Sequence, residues 1–365
     1  MRTELLDILC CPRCRGDLEL AILEGTTAHV VVGRLVCVGC HAGYDVRDDV
    51  PMFSRHVEHG GLRNQATTYS TWWDRYHGEA SIVDPSNGPA FHESLRIDPA
   101  EFRQLVVLDA GCGNGRFSYV VSHYEPRLLV SFDISSGVFH AKKVILGRNP
   151  SANVAFVQGD VTAPPFKSQS FDIVFSWGVL HHTPDTRRTF SVIAGAVKLG
   201  GRLAIYVYEF HPLYRYDRQA LSLVAYLRSL LLIRPLRFLC SRLPARVVHL
   251  MFVPIYYLER TIGVGVVGCH GPSSDRWNKE RYFRVVIDRF KTRYASEHQL
   301  EEVVEWFAGN GYNKLRVGRY PCVSVVATRE SVSPLDAVDV NILRTRSKTR
   351  DRHVVSEPTV LARPR

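Results

Sequence analysis

Val106–Ser118 reads VVLDAGCGNGRFS. An apolar run leads to an acid, Asp109, and then to glycines at 111, 113 and 115. The pattern predicts a buried parallel strand, a glycine turn and the start of a helix, an arrangement that brings a ligand against bare backbone. The order D-x-G-x-G-x-G separates this turn from the dinucleotide pattern G-x-G-x-x-G, because Arg116 stands where the last glycine would fall. Asp109 would also set a carboxylate beside phosphates, which costs Coulomb energy. A ligand with a cationic centre in place of phosphates suits it better.

Working outward, the next apolar runs repeat the plan. Leu128–Asp133 (LLVSFD) ends in an acid about twenty residues past the glycines, the distance at which a carboxylate can hold ribose hydroxyls. Val154–Asp160 (VAFVQGD) is a third strand, and Phe171–Leu180 (FDIVFSWGVL) a fourth, followed by His181 and His182. Leu199–Leu203 (LGGRL) turns into a fifth, AIYVYE, ending at Glu209. Strands alternating with helical segments predict an α/β fold, a Rossmann-like, doubly wound, mostly parallel sheet, whose ligands lie beyond the strand C-termini. S-adenosylmethionine (SAM), with its sulfonium and ammonium, meets the charge requirement at Asp109.

Gln104–Tyr208 resembles the class I SAM-dependent methyltransferases, and Ser296–Arg329 does so more loosely. The resemblance implies that Asp109, Gly111, Cys112, Gly113, Asn114 and Gly115 line the methionine part of SAM. It implies that Asp133 and Ile134 hold the ribose, that Asp160 and Val161 meet the adenine, and that Ser176 and Trp177 approach from the fourth strand. The segment FDIVFSWGVLHH argues against the alternative, a Rossmann-like oxidoreductase.

Cys11, Cys14, Cys37 and Cys40 form C-x2-C-x22-C-x2-C, a tetrahedral zinc spacing. Four thiolates leave no open position, so the expected zinc is structural. Asp17–Leu20 and Gly33–Val36 read as ribbon strands, and Tyr44–Phe53 as a turn and edge strand. A ribbon of about fifty residues builds little core and draws folding energy from its metal. A pair of disulfides is the alternative, disfavoured by the spacing. LLDILCCPRC resembles the zinc ribbon of the small activator subunit of RNA and protein methyltransferases, here fused to a catalytic domain, with Cys10 in place of an apolar residue. Loss of zinc is expected to leave SAM binding largely intact.

The domain expectations are a zinc ribbon at 1–54, a linker and capping helices at 55–103, the SAM-binding core at 104–211, a helical insertion or lid at 212–290, a last helix with closing strands at 291–330, and a basic disordered tail at 331–365. Ser54–Asn64 reads as linker. Gln65–Tyr76, with Tyr69, Trp72, Trp73 and Tyr76, reads as a helix over the cofactor cleft or packed on the core. Within the insertion, Leu221–Ile233 and Val247–Leu258 are apolar and interspersed with arginines, but no run reaches the 18–20 residues or so that span a bilayer. They fit a lid, a membrane-interface element or a self-packed subdomain. Ser296–Gln299 (SEHQ) reads as a capping box ahead of Leu300, Val303, Val304 and Phe307. Lys314–Val317 and Cys322–Thr328 read as a closing hairpin. The tail carries a basic cluster, Arg344–Arg352, and the net charge is +10.

Methyl transfer needs an acceptor lone pair aligned behind the sulfonium methyl and, for a hydroxyl, a group to take its proton. His181, His182 and Glu209 are the expected catalytic residues, with His211 nearby. Ser-Trp-Gly-Val after the fourth strand replaces the Asn/Asp-Pro-Pro-aromatic turn of amino-group methyltransferases of adenine and cytosine. The expected acceptor is therefore a small molecule, glycan or lipid, with methylation at oxygen favoured and at nitrogen or carbon left open. An RNA acceptor and a non-catalytic SAM-binding scaffold are the alternatives. A cytoplasmic location follows from cysteine usage, with peripheral membrane contact through 212–290 as an option, and the sequence leaves the oligomeric state open.

Overall fold

The computed structural model describes residues 1–53, 60–76, 78–209, 234–262, 282–283, 286–320, 322–330 and 340–343. His211, the run 221–233 and the basic cluster 344–352 lie outside them.

The glycine turn follows β5 (Val106–Ala110), all five of whose residues are buried. Covered on both faces, such a strand takes an unbroken apolar run. It pairs in parallel with β6 (Leu128–Asp133) on one side and β8 (Phe171–Trp177) on the other. Beyond β6 lies β7 (Val154–Gln158), and beyond β8 lies β9 (Val197–Tyr208). The hairpin of β10 (Tyr312–Tyr320) and β11 (Cys322–Arg329) closes this side, β11 running antiparallel to β9.

The N-terminal ribbon consists of β1 (Leu18–Gly25), β2 (Val30–Cys37), β3 (Gly43–Arg47) and β4 (Val50–Met52). The expected edge strand is not an edge. β4 pairs with β3 on one side and joins β7 on the other through Met52 and Gln158, so one twelve-stranded sheet runs β1-β2-β3-β4-β7-β6-β5-β8-β9-β11-β10-β12. Its far end, β12 (Val340–Leu343), pairs in parallel with β10, a strand within the tail expected to be disordered.

The helices include α1 (Gly60–Tyr76), α2 (Glu79–Ile82), α3 (Asn87–Leu95), α4 (Arg116–Ser122), α5 (Gly137–Arg148) and α6 (Thr186–Gly195). α1 starts at Gly60, inside the stretch read as linker. α7 (Arg234–Cys240) and α8 (Ala245–Ile262) belong to the insertion, and α9 (Leu300–Gly309) precedes the closing hairpin. The insertion has its own buried cluster, including Val248, Phe252, Tyr256, Phe283 and Phe290. The expected capping box at α9 is absent. Gln299 is the N-cap without a side-chain bond, while Ser296 Oγ donates to the His181 carbonyl. Among the described residues no helix is long and apolar enough to cross a membrane.

Candidate functional site

At the C-terminal ends of β5, β6, β7, β8 and β9 a cavity of about 320 Å3 opens over the glycine turn. Gly111 and Gly113 hold φ of 96° and 56°, in the left-handed region that glycine adopts at little cost. A side chain on Gly111 would overlap Val179, and one on Gly113 would overlap the Trp73 ring. The turn is thus kept bare by the protein's own packing.

Asp109 is buried and accepts a hydrogen bond from Ser118 Oγ at 2.7 Å. Burial pushes its carboxyl up to about 7, with Asp133 adding to the shift and Ser118 opposing it. Asp133 accepts from the Gly113 amide at 2.8 Å and from the amide and hydroxyl of Ser135 at 2.8 and 2.6 Å, and burial raises its pKa too. Two carboxylates short of countercharge suit a cationic ligand. Asn114 Oδ1 and Trp177 Nε1 are buried atoms of lining residues with no hydrogen-bond partner among the described residues. The residues fit SAM.

Of the expected cofactor residues, Asp109, Gly111, Cys112, Gly113, Asn114, Asp133, Ile134, Asp160, Val161 and Trp177 line the cavity. Gly115 and Ser176 do not. Gly115 packs where a side chain would meet Ala141. Ser176 points to the opposite face of β8 from Trp177 and donates to the Ala110 carbonyl at 2.7 Å. Trp177 stacks on Tyr206 with 4.3 Å between ring centroids, and Arg116 covers its other side at 4.2 Å.

The three expected catalytic residues separate. His181 is fully buried, stacks on Tyr208 at 3.8 Å, and does not line the cavity. Neither of its ring nitrogens has a hydrogen-bond partner among the described residues, and burial drives its pKa well below the ordinary histidine value. Glu209 also lies off the cavity lining, bridging to His298. Alternation explains this: Tyr206 and Tyr208 line the cavity, so Glu209 faces away.

His182 lines the cavity. Its Nδ1 lies 3.0 Å from the Tyr294 carbonyl, which can only accept, so Nδ1 carries the proton and Nε2 is left as the acceptor. Nε2 faces Asp288 Oδ1 at 3.6 Å. Tyr208 donates to Asp288 Oδ2 at 2.6 Å. Gln65 of α1 clamps the group, donating to the His182 carbonyl at 2.5 Å and accepting from the Tyr294 amide at 3.2 Å. Burial lowers the His182 pKa, and Asp288 opposes that shift. Sequence reasoning missed Asp288, Tyr208 and Gln65. Strand alternation from Tyr206 could have found Tyr208, whereas Asp288 stands in a segment without a motif.

In the ribbon, the four cysteine sulfurs lie within 4.8 Å of one another. Cys11 and Cys40 are 3.6 Å apart, and Cys14 and Cys37 3.3 Å. A tetrahedral zinc with Zn–S bonds near 2.3 Å spaces its thiolates by about 3.8 Å, so the cluster fits one structural zinc. A side chain on Gly16 would crowd Cys14 and Cys37 at 3.3 Å, and the Tyr44 hydroxyl lies 3.2 Å from Cys11 Sγ. Cys10 stands outside the cluster, buried, its amide donating to the Pro165 carbonyl at 2.9 Å.

The strand order around β5, the antiparallel β11 and the acidic glycine turn are the Rossmann-like core expected from the sequence, joined to the four-cysteine ribbon. Comparison with known proteins agrees: residues 108–205 match a methyltransferase domain family and residues 2–49 a Trm112p-like protein family. A methyltransferase-named protein of Encephalitozoon cuniculi is 36% identical over 116 residues, covering 31% of this chain and 49% of that protein. Demethylmenaquinone methyltransferase of Lactococcus lactis is 30% identical, covering 33% and 48%. The tRNA U34 carboxymethyltransferase of Nautilia profundicola is 26% identical, covering 27% and 33%. The chain spans about half the length of the first two of these relatives or less of the third. Among solved structures, magnesium protoporphyrin IX methyltransferase from Synechocystis with bound SAM is 14% identical, covering 74% of this chain and 95% of that one, with a TM-score of 0.42.

Proposed function

We propose that this chain is a SAM-dependent methyltransferase whose acceptor is a small molecule, glycan or lipid methylated at oxygen. The observation that carries the reading is that the Asp109 and Asp133 carboxylates and the His182–Asp288–Tyr208 group share one aromatic-walled cavity. Bound SAM supplies an electrophilic methyl on a sulfonium. The acceptor hydroxyl hydrogen-bonds to His182 Nε2, with Trp72, Trp73, Trp177 and Tyr206 shielding it from water. For a methyl leaving the sulfonium for the hydroxyl oxygen, the oxygen–carbon bond forming as the carbon–sulfur bond breaks, His182 Nε2 would take the hydroxyl proton. Asp288 then faces the resulting imidazolium, and Tyr208 holds Asp288 in place. The lowered pKa of His182 keeps Nε2 unprotonated at neutral pH.

The charges at the cavity favour a neutral or cationic acceptor over a polyanion. Its lining carries Asp109, Asp133, Asp160 and Asp288 against one guanidinium, Arg116. RNA is the second reading, favoured by the similarity to a tRNA-modifying enzyme and by the net charge of +10. Incubation with methyl-labelled SAM and separated lipid, metabolite and RNA fractions tests both. Label in the lipid or metabolite fraction is the expected result; label confined to RNA would reverse the assignment, and label in none would leave the scaffold.

A further inference from the structure

The insertion presents an apolar surface that the cavity does not use. Of the ten large hydrophobic side chains exposed among the described residues, six, Phe238, Leu239, Val247, Leu250, Tyr257 and Leu258, belong to α7 and α8. Leu250 is 70% exposed and Phe238 63%, so these are not partly covered core residues. At 100° per residue, Val247, Leu250, Pro254, Tyr257 and Leu258 fall in one arc of about 100° on α8. The buried positions Val248, Phe252, Tyr256 and Glu259 fall on the other side, against the insertion's own core. α8 is therefore apolar on both faces, and packing within the described residues covers only one.

Charge says what covers the other. Residues 234–262 carry five arginines and one acid, Glu259, and that acid is buried. Arg242, Arg246 and Arg260 are exposed around the apolar arc, Arg242 lying over the Phe238 ring at 3.5 Å. An exposed apolar arc with an aromatic ring, and with arginines as the only exposed charges among the described residues 234–262, matches the boundary of an anionic bilayer: leucines enter the acyl edge, tyrosine sits at the headgroups, and guanidiniums meet lipid phosphates. Because no described helix is long and apolar enough to span, contact would lie in the plane of the membrane.

We infer that α7 and α8 form a docking face for an anionic lipid surface. The inference concerns binding and holds whether or not the acceptor is a lipid. Sedimentation of the full chain with vesicles tests it. Wild-type protein should bind vesicles of phosphatidylglycerol and phosphatidylcholine, weakly or not at all bind pure phosphatidylcholine, and release with added salt. Leu250→Glu with Leu258→Glu should reduce partitioning at least about tenfold, as two leucines that would enter the acyl edge are exchanged for charges facing lipid phosphate. Both positions are exposed, so zinc content and the thermal midpoint should be kept. Arg242→Gln with Arg246→Gln should weaken binding and flatten its salt dependence. Three results would overturn the inference: no wild-type binding; undiminished binding by the leucine variant, which would move the contact to the basic tail; or a wild-type dimer that the leucine variant dissociates, which would make the face an interface between copies.

Discussion

Asp109 ties the cofactor site to pH. Its carboxyl, 3.8 when unperturbed, is pushed up to about 7 by burial. A cationic ligand binds the ionised form, so SAM affinity should rise as pH climbs through about 7 and level off once Asp109 is ionised. Calorimetry across that range checks it; Asp109→Asn should bind more weakly and without the slope, and a flat wild-type profile would mean that Asp109 does not face the cation. The ligand-free fold should respond with the opposite sign. Between 3.8 and about 7 the native state holds a proton that the unfolded chain has released, so this contribution to stability is complete below pH 3.8 and lost as pH climbs through 7. The thermal midpoint of wild type relative to Asp109→Asn should therefore fall between pH 5 and 8. The two histidines should part company as well. His182→Ala should lose turnover by about a hundredfold while still binding SAM, the scale of a lost general base. His181→Ala removes a buried ring stacked on Tyr208 and should cost about 2–4 kcal/mol of stability, read in denaturant melts, with far smaller loss of turnover below its transition. Equal turnover losses in the two variants would contradict the geometry.

Among the elements, the ribbon is bound to the part of the core that carries Asp160 and Val161, the residues expected to meet the adenine. Phe53 donates its amide to the Gln158 carbonyl at 2.7 Å, and Lys167 donates its amide to the Ile8 carbonyl at 2.8 Å. Arg15 donates through Nη1 to the Pro164 carbonyl at 2.8 Å and through Nη2 to Phe166. These bonds bracket Gly159–Thr162, which changes the expectation that zinc loss spares the cofactor. Metal analysis should find about one zinc per chain, as a filled four-thiolate site requires. Cys37→Ser should lose it and weaken SAM binding roughly fivefold, the equivalent of about one net hydrogen bond. Unchanged SAM affinity in a zinc-free variant would show the segment to be held by the core alone.

On the scale of the whole molecule, one sheet joins the ribbon, the cofactor turn and the tail. β12 covers the edge of β10, four strands from β5 across β8, β9 and β11. Truncation after Glu330 would expose that edge. Stability should fall by about 1 kcal/mol and aggregation on heating should rise, with SAM affinity unchanged, since the glycine turn is remote from the lost pairing. Calorimetry and light scattering of the truncated chain read the two effects separately.

The sequence by itself determined the features that depend on near neighbours in the chain. The glycines of VVLDAGCGNG set the backbone of their turn, apolar runs set the parallel strands, and the two C-x2-C pairs bring four sulfurs together once a hairpin folds. The separation of roles within runs was legible in principle from strand alternation, which turns Ser176 and Glu209 away from Trp177 and Tyr208. Only the tertiary structure decided matters of long-range partnership. Ser296, a capping residue by pattern, stands ahead of the N-cap Gln299, and its hydroxyl is taken up by Thr186, His298 and the His181 carbonyl instead of by helix amides. The ribbon's last strand became an inner strand because β7 had an open edge for it to pair with. His182 and Asp288 are brought to one cavity by the chain's return after more than a hundred residues, and no local spacing encodes such a meeting. Local patterns fix backbone shape because their energies are short-ranged; the pairing of distant polar groups is fixed by which buried surfaces come together.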